Sequence, residues 1–232
     1  GTGYYQGTAN WKPTFYGKAG IDKQVNNDLR IRLTGSFYSA PGADNGDHLY
    51  GGDRAGSRYY NVFSYREEAP SDSTEEVLSH DFTSGRFNPG FSEETAFQIN
   101  PFIKYRGLEF FGIYEQTMGN SGADNVKDGK YTQIGAELLY RFGSWDQFYV
   151  GARYNSVSGH GEYAEGGSKP DTKEISRINL GGGWFMTKNT LVKVEYVSQE
   201  YNDKFANPWT GAPSNITEGK FSGVVLEAVI SF

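Results

Sequence analysis

The chain has no cysteine and only three histidines and two methionines among its 232 residues. Without cysteine there is no disulfide framework, no thiolate metal site and no cysteine nucleophile. The sequence also has no apolar run approaching the roughly 20 residues that a membrane-spanning helix needs. Aromatic residues are abundant instead, with 17 tyrosines and 16 phenylalanines, and there are 31 glycines. This composition favours half-exposed strands over a soluble domain built around a large aliphatic core.

The segment Lys220–Phe232 alternates between two kinds of side chain. The residues at every second position counted back from Phe232 are all apolar, namely Ile230, Ala228, Leu226 and Val224. A period of two predicts a β-strand. The apolar stripe predicts that one face of this strand meets lipid instead of a protein core. A membrane strand needs only about 9–11 residues, so its hydrophobicity escapes a search for membrane helices.

The same alternation recurs along the whole chain and predicts ten strands. Within Tyr131–Phe142, for example, Gln133, Glu137 and Arg141 alternate with apolar residues. The predicted strands are Trp11–Asp22, Leu29–Tyr38, Arg58–Tyr65, Thr95–Arg106, Leu108–Thr117, Tyr131–Phe142, Phe148–Val157, Ile175–Met186, Leu191–Tyr201 and the closing strand that ends at Phe232.

The predicted connections alternate between short and long. The short ones are Lys23–Asp28, the turn at Tyr105–Gly107, Gly143–Asp146 and Thr187–Thr190. The long ones, which are rich in Gly, Asp, Asn and Ser, are Ala40–Ser57, Met118–Gly129, Ser158–Lys173 and Asn202–Glu218. Short turns at one end and long loops at the other are typical of outer-membrane barrels.

The direction of the strands raises a problem of parity. An antiparallel barrel needs an even number of strands, yet the short turns give the first and the last predicted strands the same direction. A further weak candidate strand, Glu75–Phe82, brings the count to eleven. We therefore hypothesise that the chain is the carboxy-terminal part of a larger barrel of twelve or more strands. Alternatively, the first nine residues pair in a way that the sequence does not reveal.

The predicted polar face carries more basic than acidic side chains. Six acidic residues share it, namely Asp22, Glu109, Glu115, Glu137, Glu195 and Glu227. The ten basic residues, which are candidates for lining a lumen and binding solute, are Lys12, Lys18, Arg30, Arg32, Lys104, Arg106, Arg141, Arg153, Arg177 and Lys193. Such a wall would concentrate anionic solutes, because Arg binds carboxylate and phosphate at two points. The alternative is a structural network in which these cations pair with the neighbouring acids.

Other motifs give weaker signals. Asp44–Asp47 and Asp124–Asp128 resemble fragments of calcium loops but lack the full ligand spacing, so solvated loops explain them equally well. His80-Asp81 and Ser158-Gly159-His160 are the only local pairings that suggest a catalytic group. We expect no catalytic residues, no metal and no cofactor, and we predict that the chain is not an enzyme. Its net charge of −6 argues against nucleic acid as a partner.

Taken together, the terminal Phe232, the alternating strands, the short turns and the long acidic loops resemble the porin-type outer-membrane β-barrels of Gram-negative bacteria. The segments Gly107–Gly112 and Arg58–Tyr60 are similar to those of Bacteroidota porins. The resemblance implies one all-β domain over residues 1–232, a transmembrane antiparallel up-and-down barrel with ten to twelve strands in this chain. It also implies a location in the cell outer membrane, in contact with lipid and lipopolysaccharide.

The function expected from this resemblance is a passive channel for small polar, anionic solutes. One alternative is a non-conducting structural or accessory subunit of a larger outer-membrane complex, and a second is a barrel enzyme. A homo-oligomer and a complex with other outer-membrane proteins both remain open. Paired charges in an occluded lumen would favour the structural subunit, whereas unpaired Arg in a continuous pore would favour the channel.

Overall fold

The computed structural model describes residues 12–42, 49–50, 63–67, 77–82, 87–202 and 219–231. Within these ranges no helix is long and apolar enough to cross a membrane. The described strands are β1 (Phe15–Gln24), β2 (Leu29–Ala40), β3 (Phe63–Glu67), β4 (Val77–Phe82), β5 (Glu93–Tyr105), β6 (Leu108–Asn120), β7 (Val126–Lys127), β8 (Gly129–Phe142), β9 (Phe148–His160), β10 (Tyr163–Ala164), β11 (Lys173–Thr187), β12 (Thr190–Asn202) and β13 (Gly219–Ile230).

Nine of these strands form one antiparallel sheet in the order β1-β2-β5-β6-β8-β9-β11-β12-β13. Each strand of the sheet pairs with the next one along the chain, which confirms the predicted all-β, up-and-down architecture. The two small sheets are the pairs β3–β4 and β7–β10. Within the described residues β1 and β13 are the two edges of the large sheet, so closure into a barrel stays a prediction.

The predicted alternation of short and long connections is confirmed. Residues 25–28, 106–107, 143–147 and 188–189 form the short turns at one end of the sheet, which we call the turn end. The longer connections lie at the opposite end, the loop end. In the turn 143–147, Gly143 and Asp146 adopt positive φ angles of 100° and 59°. Glycine favours such a conformation and Asp tolerates it, which explains why a tight reversal forms there.

The segment between β2 and β5 needs a correction. Because β2 pairs directly with β5 from Leu29 opposite Tyr105 to Ala40 opposite Glu94, no strand is inserted between them. The predicted strands Arg58–Tyr65 and Glu75–Phe82 correspond, where they are described, to the hairpin β3–β4, which stands apart from the sheet. The sheet and this hairpin together give eleven strands, within the predicted range, and among the described strands nine belong to the large sheet.

The register gives the sheet two unlike faces. One, the apolar face, carries large hydrophobic side chains that are widely exposed, among them Leu138 at 49% and Leu226 at 76%. On β8 this apolar band extends from Ile134 to Phe142, a distance of about 26 Å along the strand. At the 35–45° tilt of barrel strands this corresponds to roughly 20 Å of height, close to the apolar band of outer-membrane barrels.

An aromatic row crosses three strands on the apolar face at the turn end. Phe142 stacks on Phe148 with ring centroids 5.6 Å apart, and Phe148 stacks on Trp184 at 6.1 Å. Tyr140 continues the row at 6.0 Å from Phe142. Aromatic rings concentrate where a membrane meets water, so this row has the position of an interfacial girdle. Trp11 and Phe232 lie outside the described residues.

The two faces exchange character near the loop end. There the apolar face continues as polar side chains such as Thr132, Ser176 and Ser222. The opposite face, which we call the polar face, gains a small hydrophobic core at the same level. Its buried members include Phe91, Ala96, Tyr131, Ile175 and Tyr201. The sheet therefore has two parts. Toward the turn end its apolar face is exposed, whereas at the loop end its polar face is covered by buried hydrophobic side chains, as in a sheet of a soluble protein.

Candidate functional site

Ion pairs between adjacent strands dominate the polar face. Arg30 on β2 forms a bidentate ion pair with Asp22 on β1, in which Nε lies 2.8 Å from Oδ1 and Nη2 lies 2.6 Å from Oδ2. Lys193 on β12 lies 2.7 Å from Glu227 on β13, measured from Nζ to Oε2. Each pair spans a strand boundary, so each one holds neighbouring strands in register.

A three-residue network occupies the middle of the sheet. Lys104 Nζ and Arg141 Nε both approach Oε1 of Glu109, at 2.9 and 3.0 Å. One carboxylate thereby links β5, β6 and β8. Next to it, Arg153 Nε donates to Oε2 of Glu137 at 2.6 Å and links β8 to β9. These side chains remain partly exposed, so each pair contributes at most about 1 kcal/mol of stability, and networks do somewhat better than isolated pairs.

The structure therefore places eight of the ten predicted lumen residues on one face. Lys18, Arg30, Arg32, Lys104, Arg141, Arg153, Arg177 and Lys193 all follow the register of the polar face. Five of these eight pair with a carboxylate on a neighbouring strand. Arg32 instead lies over the ring of Phe102, with its guanidinium carbon 4.9 Å from the ring centroid.

Two predicted residues lie elsewhere and are corrected. Lys12 precedes β1 and approaches Glu93, with 4.0 Å between Nζ and Oε1. Arg106 lies in the turn between β5 and β6 and reaches Asp28 of the neighbouring turn at 3.4 Å. The alternation of the sequence placed both residues in strands. In the structure β1 begins at Phe15, after Lys12, and β5 ends at Tyr105, before Arg106.

A cavity of about 240 Å³ lies on the polar face near the loop end. Glu115 forms part of its wall and accepts hydrogen bonds from the Tyr50 hydroxyl and from Gln98 Nε2, the latter at 2.6 Å. Burial, together with the hydrogen bond to Glu115, raises the pKa of the Tyr50 hydroxyl above its usual range. The phenol therefore stays protonated and keeps donating to the carboxylate.

Arg177 lies on the other side of the same cavity. Its Nε donates to Oε1 of Gln199 at 2.5 Å, and Gln199 Nε2 donates to the Tyr201 hydroxyl at 2.5 Å. This chain orders the guanidinium between β11 and β12. The cavity thus has a carboxylate and a guanidinium in its wall, each already engaged by protein groups.

Sequence reasoning overlooked the neutral members of this cavity. Gln133 on β8 and Asn155 on β9 line it, together with Phe87 and Tyr131, whose rings meet edge to face at 4.7 Å. Gln133 alternated correctly in the sequence, but an amide carries no charge to draw attention to it. Phe87 belongs to a connection, and alternation says nothing about where a connection packs.

The candidate catalytic pairings gain no support. His160 Nδ1 lies 2.9 Å from the carbonyl oxygen of Gly161, and its ring contacts Tyr163 edge to face. Ser158 is not a hydrogen-bond partner of this ring among the described contacts. His80 and Asp81 lie in β4, whose side chains are outside the described set. In the part of the chain that the structure describes, no group of three His, Asp or Glu side chains could hold a metal ion.

Of the two calcium-loop fragments, Asp44–Asp47 lies outside the described residues. In the other, the Asp128 carboxylate accepts a hydrogen bond from Asn120 Nδ2 at 2.6 Å. Asn125 has a positive φ of 59°, as turn asparagines often do. This loop is thus organised by its own hydrogen bonds.

Comparisons with known proteins give little beyond these observations. No family description and no curated protein matches the chain. Among solved structures, the chain is similar to "OmpT (in-vitro folded), an outer membrane protein of Vibrio cholerae", with 11% identity and a TM-score of 0.49. The match covers 94% of this chain and 55% of that one, so the chain spans about half the length of its structural neighbour.

The prediction that the chain is not an enzyme is withdrawn, because the lack of a recognisable catalytic pairing in a sequence does not exclude an activity. The printed description of the structural neighbour calls it an outer membrane protein and names no activity.

Proposed function

We propose that the chain forms part of the wall of an outer-membrane β-barrel that passes small polar solutes. The observation that carries this proposal is the contrast between the two faces of the nine-stranded sheet. The apolar face exposes leucine, isoleucine, valine and aromatic side chains across its whole width. Soluble monomers rarely expose contiguous apolar patches larger than a few hundred Å², whereas lipid accepts such a face without cost.

The polar face supplies the water-filled side of this wall. It presents charged side chains on each of the nine strands of the sheet. Charges at this density require contact with water or with each other. Two further cavities, of about 360 and 790 Å³, lie along it. A passage lined in this way would admit polar solutes and exclude apolar ones.

The selectivity that we propose is a modest preference for anions. The strands place nine basic residues on the polar face, because Lys173 joins the eight predicted ones. Seven acidic residues share that face, because Glu94 joins the six predicted ones. The excess of positive charge is therefore smaller than the sequence suggested, and pairing dampens it further. Lys18 and Arg32 have no carboxylate partner among the described ion pairs and contribute to the remaining field.

A bilayer measurement tests the proposal. The purified protein is inserted into a planar bilayer under a salt gradient, and the reversal potential is recorded for the wild type and for Glu137→Gln. Removing this carboxylate releases Arg153 and adds one positive charge to the passage, so the reversal potential should move toward the anion equilibrium potential. Glu200→Gln is the matched control, since Glu200 also pairs with a cation, Lys220, but on the opposite face. It should change nothing.

A structural role is the second candidate, and the ion pairs favour it. Five of the predicted lumen cations are engaged by carboxylates on adjacent strands, as expected of an interior that satisfies itself. A protein that inserts into the bilayer and never conducts would reject the passage and support a non-conducting subunit of a larger complex. Cation selectivity would reject the proposed role of the basic residues.

A further inference from the structure

The cavity at the loop end of the polar face has the composition of a site for a neutral, polyhydroxylated ligand. Gln133 and Asn155 project into it from neighbouring strands. Among the described residues neither amide has a hydrogen-bond partner within the protein. Each amide offers two donor hydrogens and an acceptor oxygen. Two such groups side by side match vicinal hydroxyls, each of which donates one hydrogen bond and accepts others.

The charges in the wall argue against an ionic ligand. Glu115 and Arg177 are opposite in sign, so together they give the cavity no net charge. Both are also engaged within the protein: Glu115 accepts from Tyr50 and Gln98, and Arg177 donates to Gln199. An engaged charge still accepts or donates further hydrogen bonds to hydroxyl groups, but it has less to gain from a counter-ion.

An aromatic surface completes the cavity. The Phe87 ring meets Tyr131 edge to face at 4.7 Å, and Phe91 lies 6.0 Å from the same tyrosine. A pyranose ring has a polar edge of hydroxyls and a less polar face of C–H groups. The edge suits the amides and the face suits the aromatic side. The volume of about 240 Å³ is smaller than the roughly 300–1,000 Å³ of sites for drug-sized ligands, so it suits a single ring.

Two glycines keep this space open. Gly135 lies opposite Asn155, and a Cβ added there would come within 2.5 Å of the Asn155 Oδ1. Gly159 lies opposite Tyr131, and a Cβ there would meet the tyrosine ring at 2.7 Å. Side chains at either position would displace a group that lines the cavity. Both glycines therefore shape the site through the room that they leave.

We propose that this cavity is a binding site for one hexopyranose unit, held by the amides of Gln133 and Asn155 at its edge and by the ring of Phe87 at its face. The proposal names a class of solute for the proposed passage and rests on the polar face being open to water. It does not require conduction, so a binding measurement on the purified protein separates its failure from that of the passage.

Saturation-transfer NMR on the full chain in detergent micelles provides that measurement. The probes are D-glucose, D-galactose and D-mannose, with glycine as a zwitterionic probe and inorganic phosphate as an anionic one. At least one hexose should bind saturably. Gln133→Leu and Asn155→Leu should each weaken that binding about five- to tenfold, the effect of losing a neutral hydrogen-bonding group. Gln116→Leu, on the opposite face, is the matched control and should bind as the wild type does.

Gly135→Ala guards against a variant that fails to fold, because it leaves both amides in the chain and acts chiefly on the Asn155 side chain, with a milder contact at 3.3 Å from the Cβ of Ile113. It should weaken hexose binding to a similar degree, with circular dichroism reporting intact strands. The proposal is overturned if no hexose binds saturably, if glycine or phosphate binds in its place, or if the cavity variants bind as tightly as Gln116→Leu.

Discussion

A charge placed in the centre of the apolar face provides a sharp test of lipid contact. Leu138 lies midway between Ile134 and Phe142 on β8, with 49% of its surface exposed. If the apolar face met water, Leu138→Arg would change the free energy of unfolding by no more than about 0.5 kcal/mol, as most surface substitutions do. If that face meets hydrocarbon, the guanidinium lies near the bilayer midplane and should cost about 2–4 kcal/mol.

Thr132→Arg is the matched control, since Thr132 lies on the same face of the same strand. It is six residues toward the loop end, about 20 Å along the strand from Leu138. There the face has already become polar, so Arg should cost no more than about 1 kcal/mol. The assay is reversible unfolding in denaturant after folding into lipid vesicles, followed by tryptophan fluorescence. Equal costs for the two variants, or a cost below 0.5 kcal/mol for Leu138→Arg, would refute a lipid-facing band.

Three further substitutions probe the sheet, each measured as a change in the free energy of unfolding. Phe148→Ala should cost about 1–3 kcal/mol, because it removes two stacked aromatic contacts at the turn end; a null effect would show that the row does not stabilise the sheet. Glu109→Gln removes the carboxylate shared by two cations and should destabilise by about 1–2 kcal/mol, a loss that high salt reduces by screening their repulsion; a loss that grows with salt would contradict this reasoning. Gly183→Ala should cost about 1–3 kcal/mol, because its Cβ would lie 2.3 Å from the ring of Tyr149. Gly17→Ala, with nothing within 4 Å of its Cβ, is the control and should cost much less.

Alternation predicted the strands well wherever both faces are distinct. Tyr131–Phe142 was predicted and Gly129–Phe142 is found, while Ile175–Met186 became Lys173–Thr187. The signal is strong there because the outside and the inside impose opposite polarity on successive residues. The same signal placed eight of the ten candidate cations on the polar face, since a correct register carries every side chain with it.

The remainder depended on contacts that local patterning does not encode. Arg58–Tyr65 and Glu75–Phe82 have the composition of strands, yet their described parts pair with each other and not with the sheet. The pairing of β2 with β5 is a contact between segments far apart in the sequence, and local alternation does not say which strands pair. The cavity was missed for the same reason, because Phe87 reaches Tyr131 only through the path of that connection.

The common direction of the two edge strands limits how copies of this sheet can meet. Two copies inserted into one membrane with the same orientation are related by rotation about the membrane normal, which leaves every strand direction unchanged. Any seam between β1 or β13 of one copy and an edge of the other would then be a parallel pair, unlike every other pair in the sheet. An antiparallel seam needs a strand that runs from the turn end to the loop end. Edge-to-edge dimerisation through the two described edges would therefore need a parallel seam, whereas a wall that is antiparallel throughout needs one more strand of the opposite direction.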